Sequence, residues 1–200
     1  MGLVKRLSSD EMTTLLDVRG LWYNPSSKAI CRNGDSYSGW FQYILDPKGA
    51  ALDLKPAITQ RAQPNDQAVG TFNTKTNEVM FLNGNRVELY SKNGSISNYI
   101  NLRFLQIEKD DIGEKFVPME EMPEDYNFTS VIYTGIKGAE IGVLNTYGHQ
   151  IELYDAKKGF LTTVLTLPES QKAYSLFIFA FSNDMFWLFD KDKRAWTSYK

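Results

Sequence analysis

The sequence predicts an all-β chain assembled from repeated antiparallel meanders. Three observations lead there. Turn residues punctuate the chain at short intervals, with Asn83-Gly84, Gly148, Asp155–Gly159 and Asn183-Asp184 each lying between apolar or alternating runs. The tetrapeptides Val87-Glu88-Leu89-Tyr90 and Ile151-Glu152-Leu153-Tyr154 match position for position, and each is followed by a turn that ends in glycine. Aspartate recurs at the start of equivalent turns, as Asp46, Asp155 and Asp190, where its carboxylate can accept the N–H groups that follow.

The clearest unit is Ala139–Pro168. Glu140–Asn145 is an apolar run, and Thr146-Tyr147-Gly148 turns it. His149–Tyr154 alternates, so Ile151 and Leu153 share one face and Gln150, Glu152 and Tyr154 the other. Asp155–Gly159 makes a second turn. Phe160–Leu167 is rich in Thr, Val and Leu, which suit a pleated surface, and Pro168 stops the ladder. Looser copies occupy Asn77–Leu102, where Asn83-Gly84 reads as a type I′ turn, then Leu176–Tyr199, and Ala29–Leu54, with a longer first turn at Asn33–Ser38 and a second at Asp46–Gly49. Leu45, Tyr90, Tyr154 and Phe189 anchor the four copies. Their spacing is uneven, and an insertion within Arg103–Phe128 accounts for the longest interval.

In order, Ser8–Leu16 reads either as one capped helical turn or as an edge strand at Met12–Leu16. Val18–Tyr23 starts the first unit and Asn24–Ser27 is its turn. Lys55–Gln67, with Pro56 and Pro64, reads as a loop. Val69–Asn73 opens the second unit and Phe128–Thr134 the third, with Gly135–Gly138 as its turn. The fourth begins at Lys172–Tyr174. Glu108–Asn127, acidic and containing Pro118 and Pro123, reads as a long inserted loop with a turn at Asp111–Glu114. The expectation is a single β domain over residues 1–200, with an N-terminal extension over 1–17 and the inserted loop over 108–127.

Up to four strands per unit, in meander order and four units long, point to a small β-propeller of about four antiparallel four-stranded blades. A β-sandwich or an up-and-down β-barrel is the alternative. The chain resembles propeller repeats in general. FNTKTNEVMFLNGNRVELY, Phe72–Tyr90, is similar to the repeat of the hemopexin-like four-bladed domain, the nearest in size. The resemblance implies a radial ring of blades. It departs from that family at the cysteine pair that ties first and last blades, because Cys31 is the only cysteine.

With strands A to D counted outward from the axis, the B–C turns and the D–A connections fall on one face. The long segments Lys55–Ala68, Glu108–Asn127 and Pro168–Gln171 therefore share a face with the Asn33–Ser38, Gly84, Gly148 and Asn183-Asp184 turns. The expected function is a non-catalytic binding or protein-interaction module that uses this loop-rich face for a protein or glycan ligand. Tyr37, Trp40, Arg86, Tyr147 and His149 are the candidate ligand-binding residues, and Tyr37, Trp40, Trp187 and Trp196 a candidate sugar-stacking platform. One alternative is an enzyme acting on an extracellular polymer, like a glycoside hydrolase, with loop carboxylates among Glu120, Glu121, Glu124 and Asp125. The other is a structural subunit completed by a partner.

Composition narrows the classes. A formal charge of −2 argues against a nucleic-acid footprint, and no apolar run reaches the length of a membrane span. With one histidine, His149, no multi-histidine metal site can form. No nucleotide motif or nucleophile elbow occurs, so no cofactor, metal or catalytic residue is assigned. A lone Cys31 in a strand reads as a small core residue. The N-terminal MGLVKRLSSDEM lacks an apolar signal core, which leaves the compartment open, a mature exported form included.

Overall fold

The computed structural model describes residues 18–34, 39–45 and 52–200. The readings of Ser8–Leu16, Tyr37 and the Asp46–Gly49 turn lie outside the described residues. Four antiparallel sheets stand in a ring as the blades of a four-bladed β-propeller. Blade 1 holds β1 (Gly20–Asn24), β2 (Ala29–Asn33), β3 (Trp40–Leu45) and β4 (Leu52–Ile58). Blade 2 holds β5 (Thr71–Asn73), β6 (Glu78–Asn83), β7 (Arg86–Tyr90) and β8 (Ile96–Asn101). A two-stranded hairpin follows, β9 (Leu105–Asp110) and β10 (Gly113–Pro118). Blade 3 holds β11 (Ile132–Tyr133), β12 (Ile141–Asn145), β13 (Gln150–Tyr154) and β14 (Leu161–Thr166), and blade 4 holds β15 (Phe179–Ser182), β16 (Met185–Asp190) and β17 (Ala195–Tyr199). No helix long and apolar enough to cross a membrane occurs among the described residues.

Four details differ from the sequence reading. The inserted segment is a hairpin over much of its length rather than a loop; its β-pairing runs from Leu105↔Pro118 to Asp110↔Gly113, and the turn falls where expected. Among the described residues blade 4 has three strands; Phe177 and Ile178 sit at φ 52° and 65°, and its first strand begins at Phe179. β4 runs to Ile58 through Pro56, which is tolerated because β4 is the outermost strand of its sheet. The β6–β7 loop is Gly84-Asn85, flanked by the pair Asn83↔Arg86; with glycine first, at φ 58°, it follows the type II′ pattern rather than Asn-Gly type I′. The β15–β16 loop does carry both central residues, Asn183 and Asp184, at positive φ.

Each blade packs face to face on the next. Trp22, Trp40, Phe72, Phe81 and Tyr90 fill the junction of blades 1 and 2. Met80, Val87, Phe104, Tyr126, Val143 and Tyr154 fill that of blades 2 and 3. Leu144, Ile151, Leu153, Phe179, Phe186 and Leu188 fill that of blades 3 and 4. The inner blades are thus buried on both faces, so in β13 the residues Ile151, Glu152, Leu153 and Tyr154 are all buried despite their alternation. Where the innermost strands converge, a cavity of about 300 Å³ is lined by Arg19, Leu21, Thr71, Ile132, Phe179 and Trp196. Arg19 lies 5.7 Å from the Phe177 ring centroid there. Gly20 has no room for a side chain: a Cβ would stand 2.4 Å from the Gly70 nitrogen.

Candidate functional site: a cleft between blades 1 and 2

The loop-rich face forms as the strand order requires. Asn85 Nδ2 of the β6–β7 loop donates to the Glu120 carbonyl at 2.6 Å, and the Thr146 N–H of the β12–β13 turn to the Asp125 carbonyl at 2.7 Å. Asn33 and Gln63 join the end of β2 to the connector after blade 1, with Asn33 Nδ2 donating to Gln63 Oε1 at 2.9 Å. The B–C turns of blades 2 and 3, and the end of β2 in blade 1, are thus tied to the D–A connectors.

An aromatic-floored concavity opens on the opposite face, where the A–B turns of blades 1 and 2 meet. It is a cleft of about 420 Å³ whose floor is Trp22, Trp40, Phe72 and Tyr90. Trp22 and Trp40 meet edge to face at 5.7 Å, and Tyr90 stands 6.4 Å from Trp40, so the rings fix one another. Trp40 Nε1 donates to the Ala62 carbonyl at 3.0 Å, which locks the indole. The rim is polar and uncharged except at Lys92, with Asn24, Ser26, Gln42 and Asn77 around the mouth.

Local geometry sets this rim. Asn24 Oδ1 accepts the N–H groups of Ser26 (3.0 Å) and Ser27 (3.4 Å), which shapes the β1–β2 turn. Ser26 Oγ then donates to Asn77 Oδ1 at 3.2 Å, bridging the two blades across the mouth. Asn77 itself sits at φ 59°, a conformation asparagine tolerates better than most side chains. A second hollow continues past Asn24, Asn77 and Lys92 to Thr76, Glu78 and Ser91. Among the described residues no carboxylate lines the cleft itself. Cys31 lies in its floor, buried, and desolvation pushes the thiol up to about 11, so it is neutral at physiological pH.

Behind the floor is a buried carboxylate. Glu88 Oε2 accepts the Tyr90 hydroxyl at 2.9 Å, and Oε1 accepts from Asn83 Nδ2 (2.7 Å) and from Arg86 Nη2 (2.8 Å). Blade 3 repeats the motif. Glu152 Oε2 accepts the Tyr154 hydroxyl at 2.6 Å, and Oε1 accepts Asn145 Nδ2 (3.0 Å) and Gln150 Nε2 (2.9 Å), with the Tyr126 hydroxyl at 2.8 Å from both oxygens. Every acceptor in these sites is used, which suits structural struts rather than reactive acids.

The residues singled out in the sequence are spread over all four blades. Trp40 forms part of the cleft floor. Arg86 opens β7 and is held by Glu88. Tyr147 is 81% exposed on the β12–β13 turn, and His149, at φ 49°, ends that turn, its carbonyl accepting the Leu167 N–H. Trp196 lines the axial cavity and Trp187 Nε1 donates to the Ser182 carbonyl at 3.2 Å, while Trp40 lines the cleft, so the three are not gathered at one pocket. Glu120, Glu121, Glu124 and Asp125 are exposed beyond the hairpin and do not line the cleft. Sequence reasoning passed over Trp22, Gln42, Asn77, Tyr90 and Lys92. The usable signal was asparagine at the ends of β1 and in the β5–β6 turn, next to strands with inward aromatics. Among the described residues no group of three His, Cys, Asp or Glu is placed to hold a metal.

No family model and no curated protein matches the chain. Solved structures similar in shape include a catalytically inactive virginiamycin B lyase from Staphylococcus aureus with quinupristin, at 13% identity and a TM-score of 0.43, over 92% of this chain and 70% of that one. The WD40 β-propeller domain of Doa1 is similar at 9% identity and a TM-score of 0.37, over 90% and 81%. A Lactobacillus plantarum protein is similar at 9% and 0.38, over 92% and 70%.

Proposed function

We propose that the chain is a non-catalytic binding module whose blade 1–blade 2 cleft holds a carbohydrate segment. The observation that carries this reading is the pairing of a rigid aromatic floor with a rim of amides, hydroxyls and one ammonium. A sugar presents C–H faces that pack on aromatic rings and hydroxyls that both donate and accept. Asn24, Gln42 and Asn77 offer both functions, and Lys92 adds donors. A glycosidase needs two carboxylates flanking the scissile bond, roughly 5–9.5 Å apart; among the described residues the cleft lining supplies none and the neighbouring hollow one, Glu78.

The test is a titration of tryptophan fluorescence with neutral oligosaccharides, since Trp22 and Trp40 sit in the floor. A saturable spectral change is expected. Gln42→Ala and Asn77→Ala should each weaken binding by roughly fivefold to tenfold, the loss of one hydrogen bond. Saturation that is unaltered in both variants, or no change with any oligosaccharide, removes this reading. A second reading, a protein partner on the opposite face, is favoured by the β9–β10 hairpin, whose tip residue Ile112 is 97% exposed.

A further inference from the structure

The junction of blades 2 and 3 carries a groove that differs in chemistry from the cleft one blade earlier. It has a volume of about 660 Å³ and lies where the β13–β14 turn rests on the end of β8. Its contact is tight: a Cβ on Gly159 would stand 1.8 Å from the Asn101 carbonyl oxygen, and the Arg103 N–H donates to the Gly159 carbonyl at 2.8 Å. The groove is lined by three cations, Arg103, Lys157 and Lys158, by Tyr99 and Phe160, and by the amides Asn98 and Asn101. Among the described residues no carboxylate is in the lining, in a chain where acids outnumber bases 24 to 22.

The cations are available. Lys157 and Lys158 make no ion pair, and the nearby acids are turned to the backbone. Asp155 Oδ1 accepts the N–H groups of Lys157 (2.9 Å) and Lys158 (2.7 Å), and Glu140 accepts those of Gly138 (3.0 Å) and Ala156 (3.1 Å). Arg103 is held in place, 4.8 Å over the Phe160 ring with Nε donating to the Lys158 carbonyl at 3.2 Å. Both rings remain exposed, Tyr99 57% and Phe160 48%, each with one guanidinium over it, Arg86 at 6.0 Å from the Tyr99 centroid and Arg103 on Phe160.

The geometry points to this groove as a binding site for an acidic carbohydrate, one bearing carboxylates or sulfates on its sugars. Arg103 and the two lysines meet the anionic groups, Tyr99 and Phe160 pack on sugar faces, and Asn98 and Asn101 bind hydroxyls. Two features favour this polymer over other polyanions. Three cations within a net-acidic chain suit a ligand with sparse charge, whereas a nucleic-acid strand rewards a long basic track. A peptide adding to the edge of β8 would need open backbone groups, but the Tyr99 N–H is already taken by Asn98 Oδ1 at 2.9 Å. The inference rests on reading the chain as a glycan-binding module, and adds the charge of the ligand.

Calorimetric titration with an oligogalacturonate hexamer, a neutral hexaose, hexaglutamate and inorganic sulfate tests it. The expected result is that oligogalacturonate binds at least tenfold tighter than the other three in this groove. The double variant Lys157→Gln, Lys158→Gln keeps the side-chain stems and should lower that affinity by roughly tenfold or more and flatten its salt dependence. Tyr99→Ala should lower it without changing the salt slope. Lys172→Gln, on blade 4 and paired with Asp192, should change nothing. Equal binding of sulfate or hexaglutamate, or unaltered affinity in the double variant, overturns the proposal. Neutral-hexaose binding lost in Asn77→Ala but kept in the double variant leaves the cleft reading standing when the groove fails. Acidic binding that survives Asn77→Ala does the reverse.

Discussion

The junctions on either side of blade 2 are made from the same parts and end with opposite surfaces. Each has a buried glutamate, Glu88 or Glu152, accepting the hydroxyl of the tyrosine two residues on. Each has a C–D turn whose glycine, Gly94 or Gly159, lies on the preceding blade. They diverge at the residue two before the glutamate. Arg86 pairs with Glu88 and leaves the first junction balanced. Gln150 stands in that place in blade 3, so Glu152 is held by neutral donors alone, Tyr126 from the connector among them. The blade motif thus fixes the interior, while the residues around it are free to set the chemistry outside. Blade 1–2 carries an aromatic cleft with a single cation, Lys92, and blade 2–3 a groove with three.

The strongest way to break the equivalence is at the two glycines. Both sit at positive φ, 71° for Gly159 and 79° for Gly94. A Cβ on Gly159 would run into the Asn101 backbone carbonyl, which cannot move without β8, whereas on Gly94 it would meet Ile58 and Ala62 side-chain atoms at 2.9–3.0 Å. Gly159→Ala should therefore cost about 3 kcal/mol or more, and Gly94→Ala about 1–2 kcal/mol, by urea unfolding. Equal losses would mean that the two glycine contacts are equivalent and that the backbone carbonyl facing Gly159 sets nothing apart.

Next in size is the neutral cage around Glu152. Tyr126→Phe removes a hydroxyl that both carboxylate oxygens share and should cost about 2 kcal/mol at neutral pH. Burial first, and then the adjacent glutamate, raise the pKa values of Tyr90, Tyr126 and Tyr154 above that of free tyrosine. In the unfolded chain these groups ionise near pH 10, while in the fold they stay protonated, so the folded state binds more protons above that pH. Their stabilising contribution is complete below about pH 10 and is lost as pH rises, by up to ~1.4 kcal/mol per pH unit for each tyrosine. The alkaline slope should flatten in Tyr126→Phe, and the variant's deficit should shrink with pH. A slope identical to the parent's would place the hydroxyl outside the coupling.

The blades were legible because their signals are local. Turn chemistry located Asn183-Asp184 and Asp155–Gly159, and the matched Glu-x-Tyr tetrapeptides aligned blades 2 and 3. What misled was also local. Pro56 and the prolines around the insert suggested loops, yet an outermost strand and a free-standing hairpin need fewer inward N–H groups. The cleft was less legible, because it is a product of assembly. Trp22 and Asn77 come from different blades, and Tyr90 reads in sequence as a strand residue like any other. Only the ring brings the β1–β2 turn within reach of Asn77. Glu152 was placed correctly on the face opposite Ile151, but burial of both faces follows from having a blade on either side.

The smallest expected effect concerns the residue at which the junctions part. Arg86 is about half exposed, so its attraction to Glu88 is screened, and Asn83 and Tyr90 still hold the carboxylate when it is gone. Arg86→Gln copies the blade 3 arrangement and should cost about 1 kcal/mol or less by urea unfolding. Gln150→Arg makes the reciprocal change in blade 3. If the two glutamate sites are interchangeable, that variant should be neutral or stabilising by a few tenths of a kcal/mol, because it brings a cation to a carboxylate now held only by neutral donors. A loss above about 2 kcal/mol in Gln150→Arg would show that Tyr126 has closed the space that Arg86 occupies in blade 2, and that the two junctions, alike in motif, have become separate solutions to burying one negative charge.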